Sequence, residues 1–171
     1  MKNWIVCLAL LAHGLPACAQ PARMSLAERS ASTEAVARPY FEAYIARDWE
    51  RLEPLLDDNV RFDDATANVV FGGVGKQGKA ALMKAFRETY AAIRAMSFHP
   101  TLRFASGEHM VFVGELDWRL ALADGPLVDT RMPFVVRIRV HDGKVVEHLD
   151  TADYHPFVIA LQKARAAAAR P

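Results

Sequence analysis

Sulfur chemistry has almost nothing to stand on in this sequence. Its two cysteines, Cys7 and Cys18, both sit close to the start. The rest of the chain therefore has no disulfide, no thiolate nucleophile and no Cys-based metal site. A dominant charge is missing as well: 21 basic against 20 acidic residues give a net charge of +1. That balance excludes the basic footprint of a nucleic-acid binder. No apolar run reaches the roughly 20 residues a membrane-spanning helix needs. Nine Gly and nine Pro are ordinary for 171 residues and exclude collagen-like or linker-like chains. What is present, 52% hydrophobic and 24% charged residues, is the composition of one globular domain.

The amino terminus reads as a targeting segment. Lys2 supplies a positive start, Ile5 to Ala12 an apolar run, and Gly14 and Pro16 end it. Ala17-Cys18-Ala19 then fits a small-x-small cleavage site. The expectation is a signal peptide over residues 1–19 and a periplasmic or secreted protein. A lipoprotein box at Leu15-Pro16-Ala17-Cys18 is the lesser alternative, since the proline fits it poorly. Removal of Lys2 makes the basic and acidic counts equal.

Past an exposed lead, Ser25-Leu26-Ala27-Glu28 has the spacing of a capping box. A helix is predicted to about Arg47, with an apolar stripe of Ala35, Val36, Phe41, Tyr44 and Ile45 and a kink or restart at Pro39. Asp48 is placed to cap a short helix from Trp49 to Leu56, and Asp57-Asp58-Asn59 to turn the chain. Val60, Phe62 and Asp64 alternate with Arg61 and Asp63 as in a strand. A Gly-rich loop leads to a third helix over about Lys79–Arg94, with Leu82, Phe86, Tyr90 and Ile93 inward. After Pro100 long strands take over, near Thr101–Ala105, Met110–Ala123, Leu127–Val140 and Lys144–Tyr154. Turns at Asp124-Gly125-Pro126 and His141-Asp142-Gly143 argue for antiparallel hairpins. Helices followed by a strand meander is the α+β pattern.

Gly73-Val74-Gly75-Lys76-Gln77-Gly78 spells the dinucleotide-binding fingerprint, but the mechanism also needs a parallel βαβ unit and an acidic residue about twenty positions on. Phe98-His99-Pro100 stands there instead, so the glycines read as a turn. His141, His148 and His155 recur every seven residues near Asp153, a spacing that suits no metal site. On the second long strand Leu116, Trp118, Leu120 and Leu122 share one face, and Glu115, Asp117 and Arg119 the other. The charged set reads as a solvated face or a polar pocket wall, and the Trp118 set as core or a subunit interface. On the last strand His148 and Asp150 lie together.

Tyr40-Phe41-Glu42-Ala43-Tyr44, Asp48-Trp49, Leu55 to Val60, Phe62, Gly75-x-x-Gly78 and Asp142 to Asp150 occur in an order that resembles NTF2-like, SnoaL-like domains. The resemblance implies a cone-shaped α+β barrel, three N-terminal helices packed in a curved antiparallel sheet, with a pocket at the wide end. It divides the chain into residues 1–19 (signal), 20–32 (lead), 33–158 (domain) and 159–171 (Ala-rich tail). The outer sheet face would form a homodimer.

The same resemblance implies the site. Asp150 stands where polyketide cyclases and epoxide-hydrolase-like members carry an acid/base Asp, with His148 beside it and Asp117 at the place of a second carboxylate. Glu115 occupies the place of an arginine that bridges the two, which speaks against epoxide hydrolysis by that arrangement. Against ketosteroid isomerases, Tyr40 matches the oxyanion-hole tyrosine and Asp64 the proton-shuttling base. The second oxyanion donor has Val135 or Val136 in its place. Glu115, Arg119, Tyr44, Phe86 and Tyr154 would line the pocket. A carboxylate in an apolar pocket has a raised pKa and exchanges protons near neutrality, so no metal or organic cofactor is expected. The expected ligand is a small apolar molecule of carbonyl type, and the expected chemistry isomerisation, cyclisation or hydration. The alternatives are a non-catalytic binder or an interaction module.

Overall fold

The computed structural model describes residues 24–122 and 126–169. The signal-peptide reading and the Asp124-Gly125 turn lie outside the described residues. Helix α1 spans Leu26–Ala46. It opens with the capping box that the spacing predicts: Glu28 N donates to Ser25 Oγ at 3.2 Å, and Ser25 N to Glu28 Oε2 at 2.8 Å. Residues 26–32, placed in the lead, thus form its first, mostly exposed turns. Pro39 was expected to kink or restart the helix, yet α1 runs through it. Its stripe of Ala37, Tyr40, Phe41, Ala43 and Tyr44 is buried, and tertiary packing of such a face outweighs local propensity.

Asp48 caps the short α2, Trp49–Leu52, through its side chain. A 3-10 turn then leads into β1, Leu56–Asp64. The polar triplet Asp57-Asp58-Asn59, expected as a turn, lies inside β1 in a stretch of irregular register. Asp64 ends the strand and caps α3, Ala65–Phe71, a helix the glycine-rich sequence after it had masked. The GxGxxG stretch holds β2, Lys76–Gln77, paired antiparallel to β1, which is no βαβ unit. Helix α4 covers Lys79–Thr89 and ends in a 3-10 turn, Tyr90–Ala92.

Strand β3, Ile93–Ser106, starts before Pro100 rather than after it. It is an edge strand, and its pairing with β4, His109–Ala121, is irregular between Pro100 and Leu102. An edge with a bulge is where a strand tolerates the missing N–H of proline. Gly114 of β4 sits so close to the His99 carbonyl and the Phe98 ring that no Cβ would fit. Strands β5, Leu127–His141, and β6, Lys144–Ala152, complete the sheet in the order β2-β1-β6-β5-β4-β3.

All neighbours are antiparallel except β1 and β6, which run parallel and place Asp64 opposite Asp150. The predicted all-antiparallel sheet is corrected at this one seam. Among the described residues the result is an α+β fold of five helices and a curved, unclosed six-stranded sheet around α1, in agreement with the NTF2-like cone. Helix α5, His155–Ala168, extends through the alanine-rich segment and packs on β5 with Phe157 buried.

Candidate active site

Alternation along β6 turns His148 and Asp150 to the inner face, and the parallel seam brings Asp64 of β1 alongside Asp150. Each of the three is nearly inaccessible, at 0%, 3% and 4% exposure. Buried polar groups of this kind must be hydrogen-bonded or they are costly. Three of the four tyrosines of the chain serve that need directly, and the fourth, Tyr90, through Tyr44. Tyr40 on α1 reaches His148 Nδ1 at 2.8 Å, and His148 Nε2 meets Asp150 Oδ1 at 2.6 Å. Tyr44, one turn on in α1, donates to Asp150 Oδ2 at 2.9 Å and meets the Tyr90 hydroxyl at 2.6 Å. Tyr154 donates to Asp64 Oδ2 at 2.8 Å.

Asp64 is also the cap of α3. Its Oδ1 accepts from Ala67 N at 2.7 Å and from Thr66 Oγ1 at 2.6 Å. Three donors thus occupy its two oxygens, while Asp150 holds two. The tautomer of His148 follows from the same count. With hydrogen on Nε2 facing Asp150, Nδ1 accepts and the single Tyr40 hydrogen is used. With hydrogen on Nδ1 as well, the Tyr40 hydrogen would be stranded in a fully buried place.

Asp150, Asp64, Tyr44, Tyr90 and Tyr154 all face one cavity of about 490 Å³, within the usual range of small-molecule pockets. The remaining wall is mostly apolar, including Phe62, Phe86, Met96, Leu116, Trp118 and Phe134, and exposed Phe71, Gly72 and Gly73 form a rim. His148 and Tyr40 stand behind this wall and do not line it. Burial pushes the Asp150 carboxyl above the usual carboxylate range. The neighbouring His148 and the Tyr44 hydrogen bond draw it back part of the way, and Asp64 adds to the rise. Burial, reinforced by the negative charge of Asp150, also raises Tyr40, Tyr44 and Tyr90 well beyond ordinary phenols, and Asp64 does the same for Tyr154. The four hydroxyls therefore stay protonated and able to donate.

The profile of the SnoaL-like domain matches residues 37–148, about two thirds of the chain. The chain belongs to the SnoaL-like family. Its fold is similar to that of a candidate SnoaL-like polyketide cyclase from Shewanella denitrificans OS-217, at 19% identity and a TM-score of 0.67, covering 77% of this chain and 97% of that one. An LEH-like epoxide hydrolase from M. tuberculosis is 13% identical with a TM-score of 0.61, covering 81% and 95%. A candidate ketosteroid isomerase from Kribbella flavida DSM 17836 is 24% identical with a TM-score of 0.54, covering 72% and 79%. Likeness at this level establishes a shared fold. A search of curated proteins finds no match.

In this SnoaL-like chain three expected pocket residues lie elsewhere. Glu115, Asp117 and Arg119 project from the outer face of β4, because Leu116, Trp118 and Leu120 take the inner face. Asp117 is bound by Arg131 at 2.6 and 2.7 Å and by His99 at 2.7 Å. Those partners, Arg131 foremost, hold its carboxyl far below the usual range. Arg119 is engaged with Asp129 at 2.6 and 3.2 Å, and Glu115 stands 3.9 Å from Arg131. Trp118 and its leucines, read as core or a subunit interface, instead wall the cavity.

His141 pairs with Glu108 on the surface and His155 begins α5, so the three spaced histidines do not converge. Among the described residues there is no His, Cys, Asp and Glu cluster of a metal-binding kind, and no helix long and apolar enough to cross a membrane. Sequence reasoning missed Tyr90 and Thr66. Tyr90 has the spacing of a core position on α4, and its hydroxyl leaves no periodic signal. Thr66 could have been found from Asp64-x-x-Ala67 read as an N-cap.

Proposed function

We propose that this protein is a cofactor-independent acid/base enzyme acting on a small apolar molecule of carbonyl type, by isomerisation, cyclisation or hydration. The observation that carries the reading is Asp150, a buried carboxylate facing an apolar cavity and held by donors from two directions. Such a group accepts a proton from carbon and returns it, since desolvation brings its basicity toward the operating pH. Catalysis is assigned to Asp150, which touches the ligand. His148 and Tyr40 orient it from behind, and Asp64 with Tyr154 forms the neighbouring polar wall. Asp117 has no part in this assignment.

The mostly apolar cavity is matched to an uncharged ligand: two acidic side chains in its wall would repel an anion, and the lining lysine, Lys76, is turned onto the carbonyls of Gly73, Val74 and Gly75. The test is solvent-deuterium incorporation next to the carbonyl of small apolar ketones, followed by mass spectrometry. Asp150→Asn should slow it by about 10²- to 10⁴-fold, the usual share of a general base. Retained exchange in that variant removes the catalytic assignment. Ligand retention without exchange in the wild type turns the reading to a binding protein.

We infer two further properties. The amino-terminal pattern supports export to the periplasm or beyond, with a lipid anchor as the lesser form. The outer sheet face supports a homodimer: Leu102 and Phe104 on β3 are half exposed, at 55% and 49%, and pair across to Val113 and Val111, with Val135 on β5 next in line.

A further inference from the structure

Tyr90 ends a chain of hydrogen bonds that begins at Tyr40: Tyr40, His148, Asp150, Tyr44, Tyr90. Every hydroxyl in it owns one hydrogen, so the direction of each link constrains the next. Tyr40 occupies His148 Nδ1, which makes Nε2–H a fixed donor to Asp150 Oδ1. While the carboxylate is ionised, Tyr44 gives its hydrogen to Oδ2. The 2.6 Å contact between Tyr44 and Tyr90 must then be donated by Tyr90. Among the described residues Tyr90 has no other partner, so its oxygen offers the cavity lone pairs only.

A proton on Oδ2 reverses this half of the chain. The new carboxyl O–H finds its acceptor in Tyr44, Tyr44 turns its hydrogen to Tyr90, and the Tyr90 hydrogen is released to the cavity. The half toward Tyr40 cannot reverse, because His148 is pinned as a donor. We propose that Tyr90 is a further catalytic residue whose hydroxyl changes from acceptor to donor when Asp150 takes up a proton, with Tyr44 as the relay.

The inference rests on the acid–base reading above and adds a second player to it. When the ligand's C–H bond breaks, its proton goes to Asp150 Oδ2 and the bonding pair moves through the new C=C to the carbonyl oxygen. At that moment Tyr90 acquires a free O–H for the enolate. Reprotonation at carbon returns the proton, restores the carboxylate and turns Tyr90 back. One proton transfer thus creates its own oxyanion donor. The groups facing Asp150 are His148 on its own strand, Asp64 on β1, Tyr40 and Tyr44 on α1, Tyr90 after α4, and Tyr154 before α5. β5 opposes it with Val136. The four tyrosines keep their protons, and Asp64 is saturated by three donors. Asp150 is therefore the group expected to drive the change.

The free protein suffices for the test, which keeps it apart from turnover. Infrared difference spectra with ring-labelled tyrosine distinguish a donating from an accepting hydroxyl by the C–O stretch. On titration from about pH 9 to about pH 4, a carboxyl C=O band and a shift of two tyrosine bands should appear with one midpoint. Asp150→Asn is a locked mimic of the protonated state. The pinned His148 selects the amide oxygen, leaving the amide N–H₂ for Tyr44, so its tyrosine bands should match those of the acid form at every pH, without the carboxyl band. Tyr44→Phe should abolish the Tyr90 shift while the carboxyl band remains.

A second readout is calorimetric binding of 2-acetonaphthone, which only accepts hydrogen bonds. It should bind about 3- to 10-fold tighter to Asp150→Asn than to wild type near pH 8, one hydrogen bond's worth. Tyr90→Phe added to that variant should remove the gain. Tyrosine bands that stay fixed while the carboxyl titrates, no carboxyl titration in the range, or a pH response surviving in Asp150→Asn would each overturn the proposal. Exchange activity without tyrosine reorientation would refute this relay alone, and reorientation without exchange would refute the enzymatic reading alone.

Discussion

Tyr40 is the one group that occupies His148 Nδ1, and both side chains are fully buried. Tyr40→Phe keeps the packing and strands that nitrogen, so it should destabilise the fold by about 1–3 kcal/mol, the penalty of an unpaired buried polar atom. Denaturant titration measures the loss, and ¹⁵N spectra of the imidazole should report a mixed tautomer in place of a single one. Asp150 has the opposite sign. Burial raises its native pKa above the unfolded value, so the folded protein holds that proton more tightly. This contribution is complete below the unfolded value of about 3.9 and fades as pH rises through the raised native one. Asp150→Asn should therefore have the higher Tm near pH 7, and thermal melts should find the gap closing toward about pH 4.

The shared face of His148 and Asp150 is legible in a two-residue alternation. Which face of β4 points inward is not, since Glu115-Asp117-Arg119 and Leu116-Trp118-Leu120 alternate equally well in either orientation. The choice is made by helices packed far away in sequence, and it went to the apolar set. Tyr90 was hidden for a related reason: a phenol on an apolar stripe looks like core until its hydroxyl finds Tyr44.

Among the elements, α5 and the β3–β4 hairpin carry the most specific expectations. Phe157 anchors α5 and contacts the Trp118 and Tyr154 rings, with centroids 5.4 and 6.4 Å away. Phe157→Ala should remove about 3–5 kcal/mol of stability and expose α5 to early hydrogen exchange. Gly114 has no room for a side chain beside the His99 backbone. Gly114→Ala should lower stability by about 1–3 kcal/mol, as overpacking does, with broadened amide resonances along β3. Helices α1, α2 and α4 and four of the strands are legible from periodicity and caps, Asp48 at the head of α2 among them. Helix α3 was not, because seven residues after Asp64 are too few for a period to declare itself. α5 was read as a tail, because an alanine-rich run gives helical propensity without a visible apolar stripe. The parallel seam left no trace at all, because strand direction depends on where the chain returns rather than on side chains.

At the scale of the whole molecule, the outer sheet face combines an apolar centre at Leu102, Phe104 and Val135 with a surround of ion pairs. Arg131 with Asp117, Arg119 with Asp129, and Arg137 with Glu147 flank it. Apolar centres with polar surrounds are the anatomy of protein interfaces. Phe104→Glu should leave the fold intact and convert the proposed dimer to a monomer, read by light scattering against the wild type. An unchanged mass would remove this face from the assembly.

The seam between β1 and β6 has one more consequence, for biosynthesis. Asp64 and Asp150 stand side by side, yet a ribosome makes one early in the domain and the other near its end. A nascent chain stopped before β6 emerges carries the residues of α1 to α4 and β1 to β5 but lacks His148 and Asp150. The pocket wall is thus a late event of synthesis, and an incomplete product cannot hold a proton there before the domain is finished.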